Sequence, residues 1–232
     1  SGGRHALVCL NGLTGAQIFY VTQSADFTGD VVATSFRGAI GLSTPYSVNG
    51  FDNLGNQTWT YPTDSKLWSI REIPSIGTDT VKEVLGNYGF SGKIFCLAEN
   101  NGNVNWTKQV GTSNNSKILL LDDLDSNGYI DFTLYGPQTA MRMDTKTSNV
   151  LWQNPLLASY LRGIDYLSDV NGDGIRDLVV STQQPGRVLI LDGANGNVRF
   201  TYEWGTSLNQ RGDRCAVLNS IDGNSTTEFI GG

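Results

Sequence analysis

Short stretches of alternating apolar and polar residues run along the chain, each stopping at a cluster of Asn, Asp, Gly, Ser or Thr. A period of two is the pattern of half-buried β-strands, and the clusters between them read as turns. One phrase recurs five times, as "LVCLNGLTGAQIF", "VNGFDNLGNQTW", "IFCLAENNGNVNW", "MRMDTKTSNVLW" and "LILDGANGNVRF". In each copy a strand leads to a polar turn and then, four residues after a Gly or Ser, to an aromatic. Counted from Gly15, Gly55, Gly102, Ser148 and Gly196, these aromatics are Phe19, Trp59, Trp106, Trp152 and Phe200. A second phrase, an acid followed directly by a strand-like run, also occurs five times: Asp30 before "VVATS", Glu83 before "VLGNYG", Asp131 before "FTLYG", Asp177 before "LVVST" and Glu228 before "FIGG". Between these acids and the preceding aromatic lies one more strand, as in "KLWSIREI", "SKILLLDD", "YLRGIDYL" and "RCAVLNSI".

One repeat therefore reads as strand, acidic loop, strand, linker, strand, turn, strand with an aromatic. That order predicts a four-stranded antiparallel blade, and the fold class is all-β, a five-bladed β-propeller. The turn residues are spaced 40, 47, 46 and 48 apart, and the step from Gly196 through the C-terminus back to Gly15 is 51. The missing step is one repeat long. The N-terminal strands are thus expected to complete the last blade and close the ring, with residues 5 to 21 pairing onto 213 to 231, which removes exposed sheet edges. The blades fall at approximately 22–62, 63–109, 110–155, 156–204 and 205–232 plus 1–21 in a single domain. The alternative is a piece of a seven- or eight-bladed ring.

The acidic loops carry the candidate chemistry. "DVNGDGIRD" sets Asp169, Asn171, Asp173 and Asp177 at positions 1, 3, 5 and 9, with Gly174 at position 6 and the Ile175 carbonyl at position 7. "DLDSNGYID" repeats this with Asp123, Asp125, Asn127, Gly128, the Tyr129 carbonyl and Asp131. Oxygens at every second position wrap a calcium ion. An EF-hand would need a Glu at position 12 on a helix; position 12 of the first-quoted loop is Val180, inside a strand, so Asp177 must supply the closing carboxylate. The competing reading is a polar turn, which prefers the same residue types. Two calcium sites are expected. "SIDGNSTTE" keeps Asp222, Asn224 and Glu228 and leaves room for a weak third, whereas "SIGTDTVKE" (Asp79, Glu83) and "DFTGD" (Asp26, Asp30) are too incomplete.

The loop phrase before a strand resembles the FG-GAP repeats of integrin α-subunit propellers. The phrases "LILDGANGNV" and "FCLAENNGNVNW" resemble the quinoprotein-like, or PQQ-type, propeller repeat, in which a turn after "LD" leads to a Trp that packs between blades. The first resemblance implies calcium ligands at the ten positions named above and an adhesion or recognition role. The second implies the fold, and it does not carry over a quinone site, because no acid, base and stacking platform is present and the five aromatics are expected to pack between blades.

Composition narrows the function further. There are 28 glycines and 16% charged residues, as in a chain of many short strands and turns. No apolar run is long enough to span a membrane as a helix. Six of the 22 acids lie in the two loops, so two calcium ions would change the net charge from −6 to −2 without a basic partner. There is no Lys/Arg stripe of the kind that binds nucleic acid. The start "SGGRH" reads as a mature or excised fragment. Cys9, Cys96 and Cys215 sit in apolar runs and are expected to be unpaired thiols. The single histidine, His5, has no nucleophile-and-base set around it. Arg71, Lys117, Arg162 and Arg214, near the start of each repeat's first strand, form a candidate ring for an acidic ligand. Pairing with Glu72, Asp165 and Asp213 is the structural alternative. The function expected is a calcium-stabilised, non-enzymatic recognition or adhesion propeller, extracellular or at the cell surface, binding a protein or glycan on one face. A carbohydrate-active enzyme, polysaccharide lyase or hydrolase, or a lectin on the same scaffold, is the alternative.

Overall fold

The computed structural model describes residues 5–23, 30–34, 38–44, 46–88, 91–111, 117–135, 139–156, 160–205, 215–218 and 228–231. Among the described residues every regular element is a strand. The chain divides into two compact units, Ser1–Ile118 and Leu119–Gly232. Among the described residues no helix is long and apolar enough to cross a membrane.

The first unit opens with an antiparallel hairpin, β1 (His5–Leu10) and β2 (Gln17–Gln23). A four-stranded sheet follows, β3 (Val32–Thr34), β4 (Gly38–Thr44), β5 (Ser47–Phe51) and β6 (Gln57–Pro62), in chain order. A second such sheet comprises β7 (Leu67–Ile73), β8 (Glu83–Tyr88), β9 (Lys93–Ala98) and β10 (Val104–Gln109). The next sheet begins at the junction and belongs to the second unit: β11 (Ile118–Leu121), β12 (Asp131–Tyr135), β13 (Thr139–Asp144) and β14 (Val150–Pro155). Then come β15 (Tyr160–Tyr166), β16 (Leu178–Gln183), β17 (Gly186–Leu191) and β18 (Val198–Gly205), and a last hairpin, β19 (Cys215–Leu218) with β20 (Glu228–Gly231). Meandering four-stranded antiparallel sheets are the arrangement the repeat predicts.

The five copies of the aromatic phrase fold alike. Phe19 lies opposite Cys9, Trp59 opposite Gly50, Trp106 opposite Cys96, Trp152 opposite Arg142 and Phe200 opposite Ile190, with an irregularity one or two residues on in every ladder. Such a bulge re-aims the next side chains. It lets the aromatic leave its own sheet and dock on the turn of the following repeat. In the first unit the Phe19 ring lies over Gly55 and the Trp59 ring over Gly102; in the second, Trp152 lies over Gly196. Trp59 Nε1 donates to the Glu99 carbonyl at 2.8 Å and Trp152 Nε1 to the Gly193 carbonyl at 2.9 Å. Each of these three turn glycines has φ between 72° and 84°, where a side chain is strained and would also meet the incoming ring. The fourth-repeat aromatic differs: Phe200 is 50% exposed.

The apolar cores lie between consecutive sheets. In the first unit Val48 and Trp59 pack with Leu67, Ile70, Val84, Phe95 and Leu97. In the second, Leu121, Tyr135, Ala140 and Trp152 pack with Leu161, Leu178, Val180 and Leu191. These sheets are filled from their faces, as in any pair of packed sheets.

One expectation needs adjustment. The strand after Asp30, β3, is the first of its sheet and not the second, because only residues 35–37 separate β3 from β4, too few for a nine-residue loop. Asp30 instead accepts from Arg71 at 2.5 Å, and from Ser69 Oγ and the Ile70 amide at 3.4 Å, which ties β7 to the preceding sheet. The chain ends form the hairpins β1–β2 and β19–β20, the two strand pairs from which a fifth sheet is expected.

Candidate metal centre

Both complete acidic loops belong to the second unit, between the first and second strands of their sheets. Each is shaped by its own carboxylates taking backbone amides. Asp123 accepts from the amides of Asn127 (3.2 Å) and Gly128 (2.7 Å), and Asn127 Oδ1 from that of Tyr129 (2.8 Å). Asp169 accepts from Asn171, Gly172, Asp173 and Gly174, and Asp173 from Ile175 (2.8 Å). The amide of Gly174 is the leading cause that holds the Asp169 carboxyl below the usual carboxylate range. Position 6 needs a left-handed backbone in both loops, with φ 89° at Gly128 and 87° at Gly174. Position 4 needs one too, with φ 59° at Ser126 and 78° at Gly172, a requirement the motif itself does not name.

The closing acid has a structural task whether or not a cation binds. Asp131 Oδ2 accepts the Leu124 amide at 2.9 Å, Asp177 Oδ2 the Val170 amide at 2.9 Å, and Glu83 Oε2 the Ile76 amide at 3.0 Å. In all three repeats the donor lies seven residues before the acid. Glu83 does this in a loop that has lost most other oxygen positions, so this latch belongs to the repeat and is separable from metal binding.

Two acids outside the nine-residue motif reach into the loops. Asp144 ends β13 in "MRMD", and its Oδ2 accepts from Asn127 Nδ2 at 2.8 Å. Asp192 stands at the matching place after β17 in "LILD", and its Oδ2 accepts from Asn171 Nδ2 at 3.1 Å. Both are buried, at 0% and 1% exposure. Burial opposes ionisation of Asp144, but hydrogen bonds from Thr147 and Asn127 outweigh it and hold the carboxyl below its ordinary value. The motif search missed this pair. The matching residues of the other repeats are Asn11, Asp52 and Ala98, so an aspartate at this place is not confined to the repeats with complete loops and its reach into the loop shows only in the fold.

The loops then diverge. Around the first, Asp125, Asp131 and Asp144 each place a carboxylate oxygen within 4.8 Å of the others. Two oxygens on opposite sides of a calcium ion, each at roughly 2.4 Å, stand about that far apart. Asp131 is fully buried, its Oδ2 also accepts from Arg142 Nε at 2.9 Å, and its Oδ1 is buried with no hydrogen-bond partner. Burial raises the Asp131 carboxyl above its usual range, against the Leu124 amide and the Arg142 charge. An unmatched buried oxygen on a residue of a three-carboxylate cluster is what a cation would satisfy, so this loop fits a divalent ion. Asp123, Asp125, Asn127, Asp131 and the Tyr129 carbonyl would hold it, an all-oxygen set suited to calcium.

In the second loop the acids are committed elsewhere. Asp177 Oδ1 accepts the Gly193 amide at 2.9 Å, so both its oxygens have donors. Arg199 Nε and an Arg199 terminal nitrogen donate to Asp192 Oδ2 at 3.0 and 2.7 Å. Asn171 Nδ2 also donates to Asp173 Oδ2 at 3.0 Å. Asp169, Asn171, Asp173, Asp177 and the Ile175 carbonyl are all in the loop as the motif requires, without an orphaned buried oxygen among them. Arg176, at position 8, joins the loops by a two-point contact with Asp122 at 2.8 Å for both nitrogens.

The candidate ligand ring is engaged or exposed where it is described. Arg71 pairs with Asp30 rather than Glu72, which pairs with Lys82 at 2.8 Å. Arg162 donates to Gln183 Oε1 at 2.8 and 2.5 Å. Asp165 accepts the Val217 amide at 3.2 Å, Lys117 is exposed at the start of β11, and Arg214 lies outside the described residues. Of the weak third loop, Asp222 and Asn224 also lie outside them, while Glu228 opens β20. Cys9, Cys96 and Cys215 are not joined in disulfides, and burial pushes the Cys96 thiol up to about 12.

Repeated four-stranded antiparallel sheets, joined aromatic to turn, define a propeller-like repeat protein. The family model described as outer membrane protein assembly factor BamB, of PQQ-type repeats, matches residues 1–202, and the chain belongs to that family. No curated protein matches its sequence. Among solved structures it is similar to Sqt1 of Saccharomyces cerevisiae, at 14% identity and TM-score 0.69, over 99% of this chain and 63% of that one. It is also similar to the C-terminal WD40 domain of Sif2, at 10% identity and TM-score 0.63, covering 90% and 56%. A third is BBS1N, solved in complex with ARL6DN, at 12% identity and TM-score 0.53, covering 85% and 61%. The chain spans less than two thirds of each of these structures.

Proposed function

We propose that the protein is a calcium-stabilised, non-enzymatic recognition propeller that holds a protein partner on one face, in an extracellular or cell-surface setting where calcium is millimolar. The observation that carries the calcium half is the fully buried Asp131, whose Oδ1 has no donor while Asp125 and Asp144 crowd it. The protein-partner half is supported by the family description, an assembly factor, and by the BBS1N structure being that of a complex. For the acidic-ligand reading, Arg71 and Arg162 already have Asp30 and Gln183. The proposed architecture is a ring of five sheets in which the two end hairpins share the fifth place; a fifth sheet beside β18 would also cover the half-exposed Phe200.

Thermal melting in calcium and in chelator tests the calcium half. With a dissociation constant on the order of 10⁻⁴ M, about 1 mM calcium adds about 1.4 kcal/mol per site. Two sites of that same affinity would give about 2.8 kcal/mol, a melting shift of roughly 6 to 11 °C for a domain of this size, and a weaker second site gives less. Asp125→Ala and Asp173→Ala should each remove part of the shift. A melting temperature that chelator leaves within about 1 °C returns both loops to polar turns.

A further inference from the structure

We propose that Asp144 is a cation ligand supplied from outside the nine-residue loop, and that it makes the two loops unequal, the 123–131 loop binding calcium at least tenfold more tightly than the 169–177 loop. This rests on the calcium reading above and goes beyond it. Neither the loop motif nor its spacing assigns a ligand on the β13–β14 turn.

The geometry sets the assignment. Asp144 is fully buried, yet its oxygen lies within 4.8 Å of ligand oxygens on Asp125 and Asp131. The independent sign of a ligand is Asp131 Oδ1, buried and without a donor on the same cluster. With Asp144 the set becomes Asp123, Asp125, Asn127, Asp131, Asp144 and the Tyr129 carbonyl, six oxygens from two separate segments. Calcium accepts six to eight oxygens in adaptable geometry, whereas magnesium demands a strict octahedron and keeps its waters, so the set selects calcium. Ligand charge count and site rigidity set calcium affinity, and Asp144 raises both.

In the second loop the matching acid is held by a charged side chain, whereas the side-chain donors to Asp144 are the neutral Asn127 and Thr147. Asp192 is equally buried, but Arg199 holds its Oδ2 through two nitrogens. Arg199 stands seven residues after Asp192, and the residue seven after Asp144 is Leu151. One position on the fourth strand thus decides whether the "LD" aspartate is available to a cation. Arg142 does not serve the same purpose at the first loop, because it pairs with Asp131 Oδ2 and leaves Asp144 to Asn127 and Thr147.

Isothermal titration of the chelator-treated protein with calcium chloride tests this. Wild type should show two binding events at least tenfold apart. Asp144→Asn should weaken the tighter event at least tenfold and leave the weaker one in place. Two further variants move the arginine: Leu151→Arg should weaken the tighter event, and Arg199→Leu, on a side chain that is 45% exposed, should strengthen the weaker one several-fold. Far-ultraviolet circular dichroism in chelator checks that each variant is folded, and the arginine variants decide the matter if Asp144→Asn is not. Equal wild-type affinities that none of the three variants changes overturn the inference while the calcium reading stands. No calcium binding to wild type overturns both.

Discussion

The 123–131 and 169–177 loops share Asp at positions 1 and 9 and Gly at position 6, exchange Asp and Asn between positions 3 and 5, and balance their charge by different routes. In the first, the compensating cation is Arg142, 1% exposed and buried against Asp131 inside the β12–β13 pair. In the second it is Arg199, 45% exposed on β18 and directed at Asp192. The choice of partner follows from where each arginine stands. Arg142 occupies the third-strand place opposite the docking aromatic, which is Cys9, Gly50, Cys96 and Ile190 in the other repeats. From there it reaches the closing acid. Arg199 lies beyond the turn and reaches the "LD" acid instead. Two copies of one motif therefore present different oxygens to a ligand, and the motif alone does not distinguish them.

The largest difference should appear when each arginine is removed. Taking away one member of a buried pair strands the other charge, so Arg142→Met should cost about 3 to 5 kcal/mol. It also frees two carbonyls, of Gly193 and Asp122, that the guanidinium now binds. Arg199→Ala removes a half-exposed partner and should cost about 1 kcal/mol or less. Urea unfolding in chelator measures both. Costs within about 1 kcal/mol of each other would mean that the two loops are balanced alike after all.

The closing acids sharpen the same contrast at a smaller scale. Asp177 gives one oxygen to each of two backbone amides, of Val170 and Gly193, so Asp177→Asn must turn its amide nitrogen toward one of them. The expected cost is about 1 to 3 kcal/mol. Nothing elsewhere should rescue it, since no cation depends on Asp177 in the way Arg142 depends on Asp131. Asp131→Asn, by contrast, should be partly rescued by adding Arg142→Met, because the second change removes the stranded charge. A double-mutant cycle that shows no coupling between Asp131 and Arg142 contradicts the pairing.

The repeat grammar made the strand order in the sheets β7–β10, β11–β14 and β15–β18 and the docking aromatics legible, because a period of two and a turn glycine with positive φ are local properties of the chain. Phe19, Trp59 and Trp152 dock as that grammar predicts. What it did not yield are the features set by the neighbouring strand. Asp144 and Asp192 read as part of a polar turn until the fold placed their strand ends beside the loops, and Arg142, to which the sequence assigned no role, is buried against Asp131 by its strand position. The same holds for Asp30, which has the acid-then-strand signature of a closing acid but opens a first strand and spends its charge on Arg71. Phe200 shares the aromatic's place in the phrase, yet its exposure depends on what lies beyond β18. Local spacing fixes which backbone a segment adopts; which charge meets which is settled only across the sheet.

The smallest effect tests whether the two loops share one backbone despite their different charge networks. Position 4 is left-handed in both, at Ser126 in the first loop and Gly172 in the second, with φ 59° and 78°. A non-glycine residue in that region costs about 1 to 2 kcal/mol. Glycine avoids this but loses about 0.5 to 1 kcal/mol more backbone entropy on folding. Nothing lies within 4 Å of where a Cβ on Gly172 would stand among the described residues, so no clash confuses the comparison. Gly172→Ser should therefore destabilise, and Ser126→Gly should stabilise, each by about 0.5 to 1 kcal/mol net. The sign is the decisive quantity, because both values are small. Chemical unfolding in chelator resolves it. If the two swaps change stability in the same direction, position 4 is not the same left-handed residue in both loops, and the common frame on which the comparison rests does not hold.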